Sequence, residues 1–426
     1  RLAGAPGLAV LASGGPPRGP ERGAGASSFL LADPDAVCHE LTPPAEAPLP
    51  SWAGRGGAPR WVGYIPYEAV RALERRGPDR RAPARIARPT WLRYPAALRI
   101  DAASGRVVVE ADDAAAAAVL LRRLEAPPAA GAVRLRRLED AASEERHGAA
   151  VAEVLRLIAR GDVYQVNLTR RLRYRVEGDP LALFLALHRR SPAPYGFFLA
   201  APDGTVVGAS PELALAVRGR ALVTAPIKGT RPRGEDAEAD AALARELDDS
   251  EKERAELVMA VDLHRNDLGR VAVLGSVRVP APPRLVPSAT VWSREAEVRA
   301  VLADGLGLRE ILAAVVPCGS VTGAPKGRAM EVIAELEAER RGLYTGVYGF
   351  VGRDGDATFA VAIRTLEVAP GGDAEYGTGG GIVWGSDPAR EVEETRWKAA
   401  ALTALAAAGG ELGEPTALLS PGSCPT

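Results

Sequence analysis

The chain has 426 residues, 47% of them hydrophobic and 25% charged, with a formal net charge of −1. These are globular values for a chain long enough for one large domain or two ordinary ones. The near-neutral balance removes any electrostatic case for nucleic acid or an anionic membrane surface. Three widely spaced cysteines, Cys38, Cys318 and Cys424, argue against a disulfide framework or a zinc site and fit a reducing cytoplasm.

In chain order, residues 1–28 are rich in Gly, Pro and Ala, and the apolar run Leu8–Ala12 is too short for a signal-peptide core. Ser28–Leu31 reads as a short strand ending in the turn Ala32-Asp33-Pro34-Asp35. Trp61–Tyr67 is strand-like and leads into a short helix through Arg75. Leu98–Ile100 and Arg106–Glu110 suggest a hairpin, and Ala114–Leu124 a helix. The apolar stretch Ala114–Leu121 cannot span a bilayer. A seam at Ala126–Val133 separates an N-terminal stretch, 1–140, from the rest.

From Ser143 the signals sharpen. Ala149–Arg160 reads as an amphipathic helix closed by Gly161, Val163–Leu172 as a strand, and Leu181–Arg189 as a helix. Strands are expected near Gly196–Ala200, Thr205–Ala209 and Leu213–Val217, one long helix over Glu238–Leu263, and a strand over Val271–Val279. Helices follow at Leu308–Val315 and Lys326–Arg340, then strands at Gly346–Val351, Thr358–Val368 and Glu375–Thr378. A last helix runs from Pro388 to about Ala407, and 409–426 reads as a flexible tail. Strands come in runs rather than in βαβ alternation, which points to an α+β fold with antiparallel sheets and helices outside.

Lysine is scarce: Lys and Arg total 53, and only Lys228, Lys252, Lys326 and Lys398 are lysine. An amine can lose its proton and attack, whereas a guanidinium stays charged, so Lys228, in Pro226-Ile227-Lys228-Gly229-Thr230, is the first candidate for chemistry. Glu212 in Ser210-Pro211-Glu212 is one short hairpin away; acid and amine together could perform a substitution, or form a surface ion pair. Glu253 and Glu256, and Glu391 and Glu394, are pairs sharing helix faces, fit either for a hard cation such as Mg²⁺ or for solvent. The loops Cys318–Lys326 and Tyr376–Val383 could cradle an anion with backbone amides or could be tight turns. Arg364, a charge in an apolar strand-like run, meets either a buried acid or an anionic ligand. His264 is expected to face solvent or to support the polar stretch Asp262–Arg270.

Several of these segments together resemble the chorismate-utilising enzymes, a family that includes anthranilate, aminodeoxychorismate, isochorismate and salicylate synthases. The resemblance covers about 145–403 and is carried by Gly161–Leu168, Ser210-Pro211-Glu212, Pro226–Gly234, Ala255-Glu256-Leu257 with Asp262–Arg270, Gly319–Met330, Ile363-Arg364-Thr365, Gly379–Val383 and Glu394-Thr395. It implies a sandwich of large antiparallel sheets, a catalytic chorismate-binding region at 144–403, and a more variable N-terminal region. It also implies Mg²⁺ held by Glu256 and Glu394 with Glu253 and Glu391 assisting through water. Arg364 and the amides of Gly379, Gly380 and Gly381 would hold the pyruvyl carboxylate, with Thr322, Gly323, Lys398, Gln165 and Tyr348 also at the substrate.

Water-using members of the family carry Lys where this chain has Gln165, and anthranilate synthases carry Ala where it has Lys228. The combination resembles the aminodeoxychorismate branch, with Lys228 attacking and Glu212 protonating the departing hydroxyl. Ser293 stands where relatives usually have His, and Leu30-Leu31-Ala32-Asp33 departs from the signature tied to tryptophan inhibition. No Cys on a Gly-rich turn precedes a later His, so ammonia is expected from a separate glutamine amidotransferase subunit. The rival readings are an anthranilate synthase component I and a non-catalytic chorismate-binding relative.

Overall fold

The computed structural model describes residues 4–14, 27–46, 57–71, 79, 81–102, 104–125, 131–138, 140–288 and 291–408. The expected tail, the first part of the seam at 126–130 and the end of the helix expected through Arg75 lie outside them. The fold is α+β, as the strand runs predict. Among the described residues an eleven-stranded sheet faces an eight-stranded one, and a three-stranded sheet stands beside them. Every strand pairing is antiparallel.

Alternation along the strands builds the layers. Leu11, Phe29, Phe197 and Leu199 of the large sheet meet Val62, Tyr64, Leu213 and Tyr348 of the smaller one in a single core. The other face of the large sheet is covered by the helices Ala114–Glu125, Pro180–Arg190 and Ala400–Ala407. That of the smaller sheet is covered by Glu251–Gly269 and Leu308–Val315. Strands Ala9–Ala12 and Pro59–Ile65, from the N-terminal stretch, lie in different sheets, paired with Tyr195–Ala201 and Val347–Gly352 of the later stretch. The two stretches therefore share both layers instead of forming separate bodies.

Several elements differ from the sequence reading. The long helix is two, Ala237–Asp249 and Glu251–Gly269, because Ser250 turns extended and its side chain caps the second by accepting from the Glu253 amide. The last helix likewise divides into Pro388–Lys398 and Ala400–Ala407. Val271–Val279 makes only isolated bridges, through Ala272 and Arg278, while short strands at Ala221–Ala225, Ile227–Pro232, Arg284–Pro287, Val291–Glu295 and Val298–Val301 were not foreseen. The strand expected over Thr358–Val368 is two, Ala357–Val361 and Thr365–Val368, belonging to different sheets.

That division positions the site. The chain crosses from the large sheet to the small one at Pro211-Glu212, between the strands Gly204–Ser210 and Leu213–Arg218, and crosses back at Ala362–Arg364. The crossings lie side by side: the Val361 amide donates to the Glu212 carbonyl at 3.1 Å and the Ala209 amide to the Arg364 carbonyl at 3.0 Å.

Candidate active site

Glu212 stands at the first crossing, 3% exposed. Burial pushes its carboxyl up to about 7, against the opposing pull of a Ser320 hydrogen bond and of Lys228. The Ser320 hydroxyl donates to Glu212 Oε1 at 2.6 Å. Lys228, on the strand Ile227–Pro232, donates from Nζ to the Ser320 carbonyl at 3.0 Å. Lys228 and Glu212, separate in sequence, thus meet through one residue of the Cys318–Lys326 loop.

Arg364 sits at the second crossing with φ 51°, a region that side-chain-bearing residues seldom occupy. Its guanidinium makes no ion pair among the described residues, and burial lowers its pKa. Of the two sequence readings, a buried acid partner is not what the fold supplies. A strained backbone holding an unpaired cation is the arrangement of an anion site.

Gln165 begins the strand Gln165–Gly178 and is 1% exposed, yet neither side-chain amide atom has a hydrogen-bond partner. Gly381 lies against it: a Cβ there would come within 2.7 Å of Gln165 Nε2 and 3.4 Å of Lys228 Nζ. The glycine run is not a loop, as the sequence suggested, but part of the strand Asp373–Ile382, with Gly379, Gly380 and Gly381 paired to Thr169, Leu168 and Asn167. Its opposite edge pairs with the strand Thr365–Val368 only as far as Tyr376, which leaves that edge beside the glycines without a strand partner. Lys398 Nζ donates to the Gly379 carbonyl at 2.8 Å.

The carboxylates gather from two helices. Asp387 caps the helix Pro388–Lys398 and sets Glu391 and Glu394 over Gly380, where an added Cβ would meet Glu391 Oε2 at 3.0 Å and Glu394 Oε1 at 3.4 Å. Glu394 pairs with Lys398 at 2.5 Å, and that ammonium holds its carboxyl below the ordinary range. Glu256 is 3.8 Å from Lys252. Burial pushes Glu256 up against the pull of Lys228, while Glu253 and Glu394 add repulsion. Burial also lifts Glu391. Three of the four lysines therefore act on this acidic cluster. Among the described residues no three carboxylate, imidazole or thiol side chains form a ready coordination shell. The all-oxygen donor set and the space kept by Gly380 nevertheless fit a hard cation that retains water and takes substrate oxygens.

The remaining predicted residues support the site from behind. Thr322 donates its hydroxyl to the Cys318 carbonyl at 3.0 Å, shaping the loop. Gly323, at φ 140°, lets the loop pair with the Gln165 strand, since a Cβ would fall 2.1 Å from the Gln165 carbonyl. Tyr348 is buried in the core with its hydroxyl between the Ser210 amide, 3.0 Å, and the Tyr195 carbonyl, 2.9 Å. Its polar atom is thus used in bracing Ser210 and the Glu212 crossing. Ser293 is buried on the strand Val291–Glu295, opposite Thr230. His264 does not face solvent: it is 1% exposed, both ring nitrogens lack partners, and burial together with Lys326 and Lys228 lowers it to about 3.

Sequence reasoning missed Ser320 and Arg341. Arg341 is fully buried, pairs with Glu337 at 2.6 Å and donates to the Val321 carbonyl at 2.9 Å, tying the Cys318–Lys326 loop to the end of the helix Lys326–Leu336. Both signals lay within motifs already noted or beside them, but neither residue type marks its partner.

Residues 32–404 match the family model for chorismate binding enzyme. The chain belongs to the chorismate-binding enzyme family. It is similar to anthranilate synthase component 1 of Streptomyces coelicolor, 41% identical over 80% of this chain and 71% of that one. It is also similar to aminodeoxychorismate synthase component 1 of Bacillus subtilis, 44% identical over 61% of this chain and 55% of that one. This chain thus matches little more than half the length of the Bacillus relative. Anthranilate synthase component I from Streptococcus pneumoniae has a similar structure, with a TM-score of 0.75 at 27% identity over 89% of this chain and 92% of the other. Among the described residues no helix is long and apolar enough to cross a membrane.

Proposed function

We propose that this chain is an aminodeoxychorismate synthase component I, converting chorismate and ammonia to 4-amino-4-deoxychorismate on the way to 4-aminobenzoate and folate. The observation that carries the reading is the Lys228 amine, joined through Ser320 to a buried Glu212 whose carboxyl keeps its proton to about pH 7. An amine beside a retained proton is the equipment of a covalent substitution. In this reading Arg364 binds the pyruvyl carboxylate, and the glycine strand with Lys398 lines the ring.

Glu256 and Glu394, with Glu253 and Glu391 beside them, would hold Mg²⁺, which when bound neutralises the ring carboxylate. The Lys228 nitrogen attacks C2 through its lone pair, the double bond shifts, and the C4 hydroxyl leaves as water with the Glu212 proton. Ammonia then adds at C4 and expels the Lys228 amine. Glu212 recovers its proton from the new ammonium group. The buried, unpartnered Gln165 amide beside Lys228 supports a polar small-molecule position there. A separate glutamine amidotransferase would supply the ammonia.

Incubation with chorismate, Mg²⁺ and ammonium, followed by mass analysis of product and protein, tests this. Aminodeoxychorismate without pyruvate release, abolished by Lys228→Ala and by chelation and restored by Mg²⁺, is the expected result. Anthranilate with pyruvate would overturn it in favour of the activity for which the Streptomyces relative is named.

A further inference from the structure

Ser320 lies on the short 3-10 segment Gly319–Val321 and is buried. Its hydroxyl reaches Glu212 Oε1 and its carbonyl receives Lys228 Nζ. Among the described residues it is the one group hydrogen-bonded to both side chains, and no protein donor reaches Glu212 Oε2. A hydroxyl that donates to Oε1 keeps that oxygen an acceptor, so a proton on the carboxyl resides on Oε2.

We propose that Ser320 is the positioning residue of the reacting pair: its hydroxyl makes Oε2 the proton-giving oxygen of Glu212, and its carbonyl holds the Lys228 amine in the same cleft. The proposal rests on the aminodeoxychorismate reading above. The step balances. The Lys228 lone pair forms the C2–N bond, the ring double bond shifts, the C4–O bond breaks, and the Oε2 proton leaves with the hydroxyl as water. Glu212 is left as a carboxylate and the adduct nitrogen as an ammonium. The Ser320 bond then meets a full negative charge on Glu212, where a charge-assisted hydrogen bond is strongest.

The groups acting on Glu212 come from four elements. Ser320 from its loop, Lys228 from Ile227–Pro232 and Lys398 from Pro388–Lys398 favour the carboxylate, and Glu295 from Val291–Glu295 opposes it. The buried Cys318 thiol beside it stays neutral, its pKa driven well up by burial and by Glu212 itself. Removing the hydroxyl takes away one of the three favourable contributions and leaves the opposing burial in place. Glu212 then holds its proton to higher pH, but in an unfixed orientation.

The test is the pH profile of kcat for the full chain and its Ser320→Ala, Ser320→Thr, Ser320→Cys and Glu212→Gln variants, with chorismate and Mg²⁺ saturating and free ammonia held constant. In Ser320→Ala the alkaline limb should move up by about one pH unit or more. The plateau rate should fall roughly tenfold to a hundredfold. Ser320→Thr, which keeps the hydroxyl, should restore the parent limb. If Ser320→Ala does not fold, Ser320→Cys, a weak donor of similar size, should show the same direction of shift. An alkaline limb that stays at the parent position in the variant lacking a strong donor overturns the role of Ser320. A parent-like rate in Glu212→Gln would instead sink the functional reading of the site, whatever Ser320→Ala shows.

Discussion

Replacing Glu212 by Gln should cost activity and add stability, and the gain should depend on pH. Glu212 is 3% exposed, and burial lifts its carboxyl from the ordinary 4.5 to about 7. The folded chain therefore binds this proton more tightly than the unfolded chain. The favourable contribution is fully present below about pH 4.5 and is lost as pH rises to about 7; above that an ionised carboxylate must be kept in the interior. At 1.36 kcal/mol per pH unit, the swing is about 3 kcal/mol. A glutamine is neutral throughout and can still accept from Ser320 through its carbonyl oxygen. Equilibrium urea unfolding of both proteins at pH 5 and pH 8 isolates this group, because every other titration is common to the pair. Glu212→Gln should match the parent to within ~1 kcal/mol at pH 5 and exceed it by about 3 kcal/mol at pH 8, while turnover falls roughly 10²–10⁴-fold. A stability difference that is the same at both pH values would refute the buried-acid argument.

Arg364→Ala should raise KM for chorismate roughly ten- to a hundredfold, the worth of a charge-assisted contact. Its unfolding free energy should stay within about 0.5 kcal/mol, because no protein acid loses a partner; an unchanged KM would remove Arg364 from the anion site. Gly381→Ala places a methyl 2.7 Å from Gln165 Nε2 and 3.4 Å from Lys228 Nζ. Both are flexible side-chain ends, so the protein should fold, but kcat should drop about 10²-fold through misplacement of the amine, and a parent-like kcat would count against Lys228. Glu337→Ala strands the Arg341 guanidinium in the interior and should destabilise by about 3–5 kcal/mol in urea unfolding. A loss under ~1 kcal/mol would show that the pair braces nothing.

The sequence by itself determined the residue types and the layers. Strands in runs specified antiparallel sheets with helices outside, and the resemblance implied that the sheets face one another. Lysine scarcity singled out Lys228, and contiguous motifs singled out Glu212, the glutamate pairs and Arg364. Only the tertiary structure decided what these groups meet. Lys228 and Glu212 are joined by a residue 92 positions from one and 108 from the other, a distance over which no local pattern carries information. Periodicity did not reveal that Ser250 ends a helix, that Arg364 turns left-handed between two sheets, or that the glycine run is a strand edge. Nor could it show that the Tyr348 hydroxyl is used in the core, since a side chain's type fixes the bonds it can make but packing selects the partner. Burial that raises Glu212, and the two adjacent sheet crossings that carry Glu212 and Arg364, arise only when both sheets close on one another.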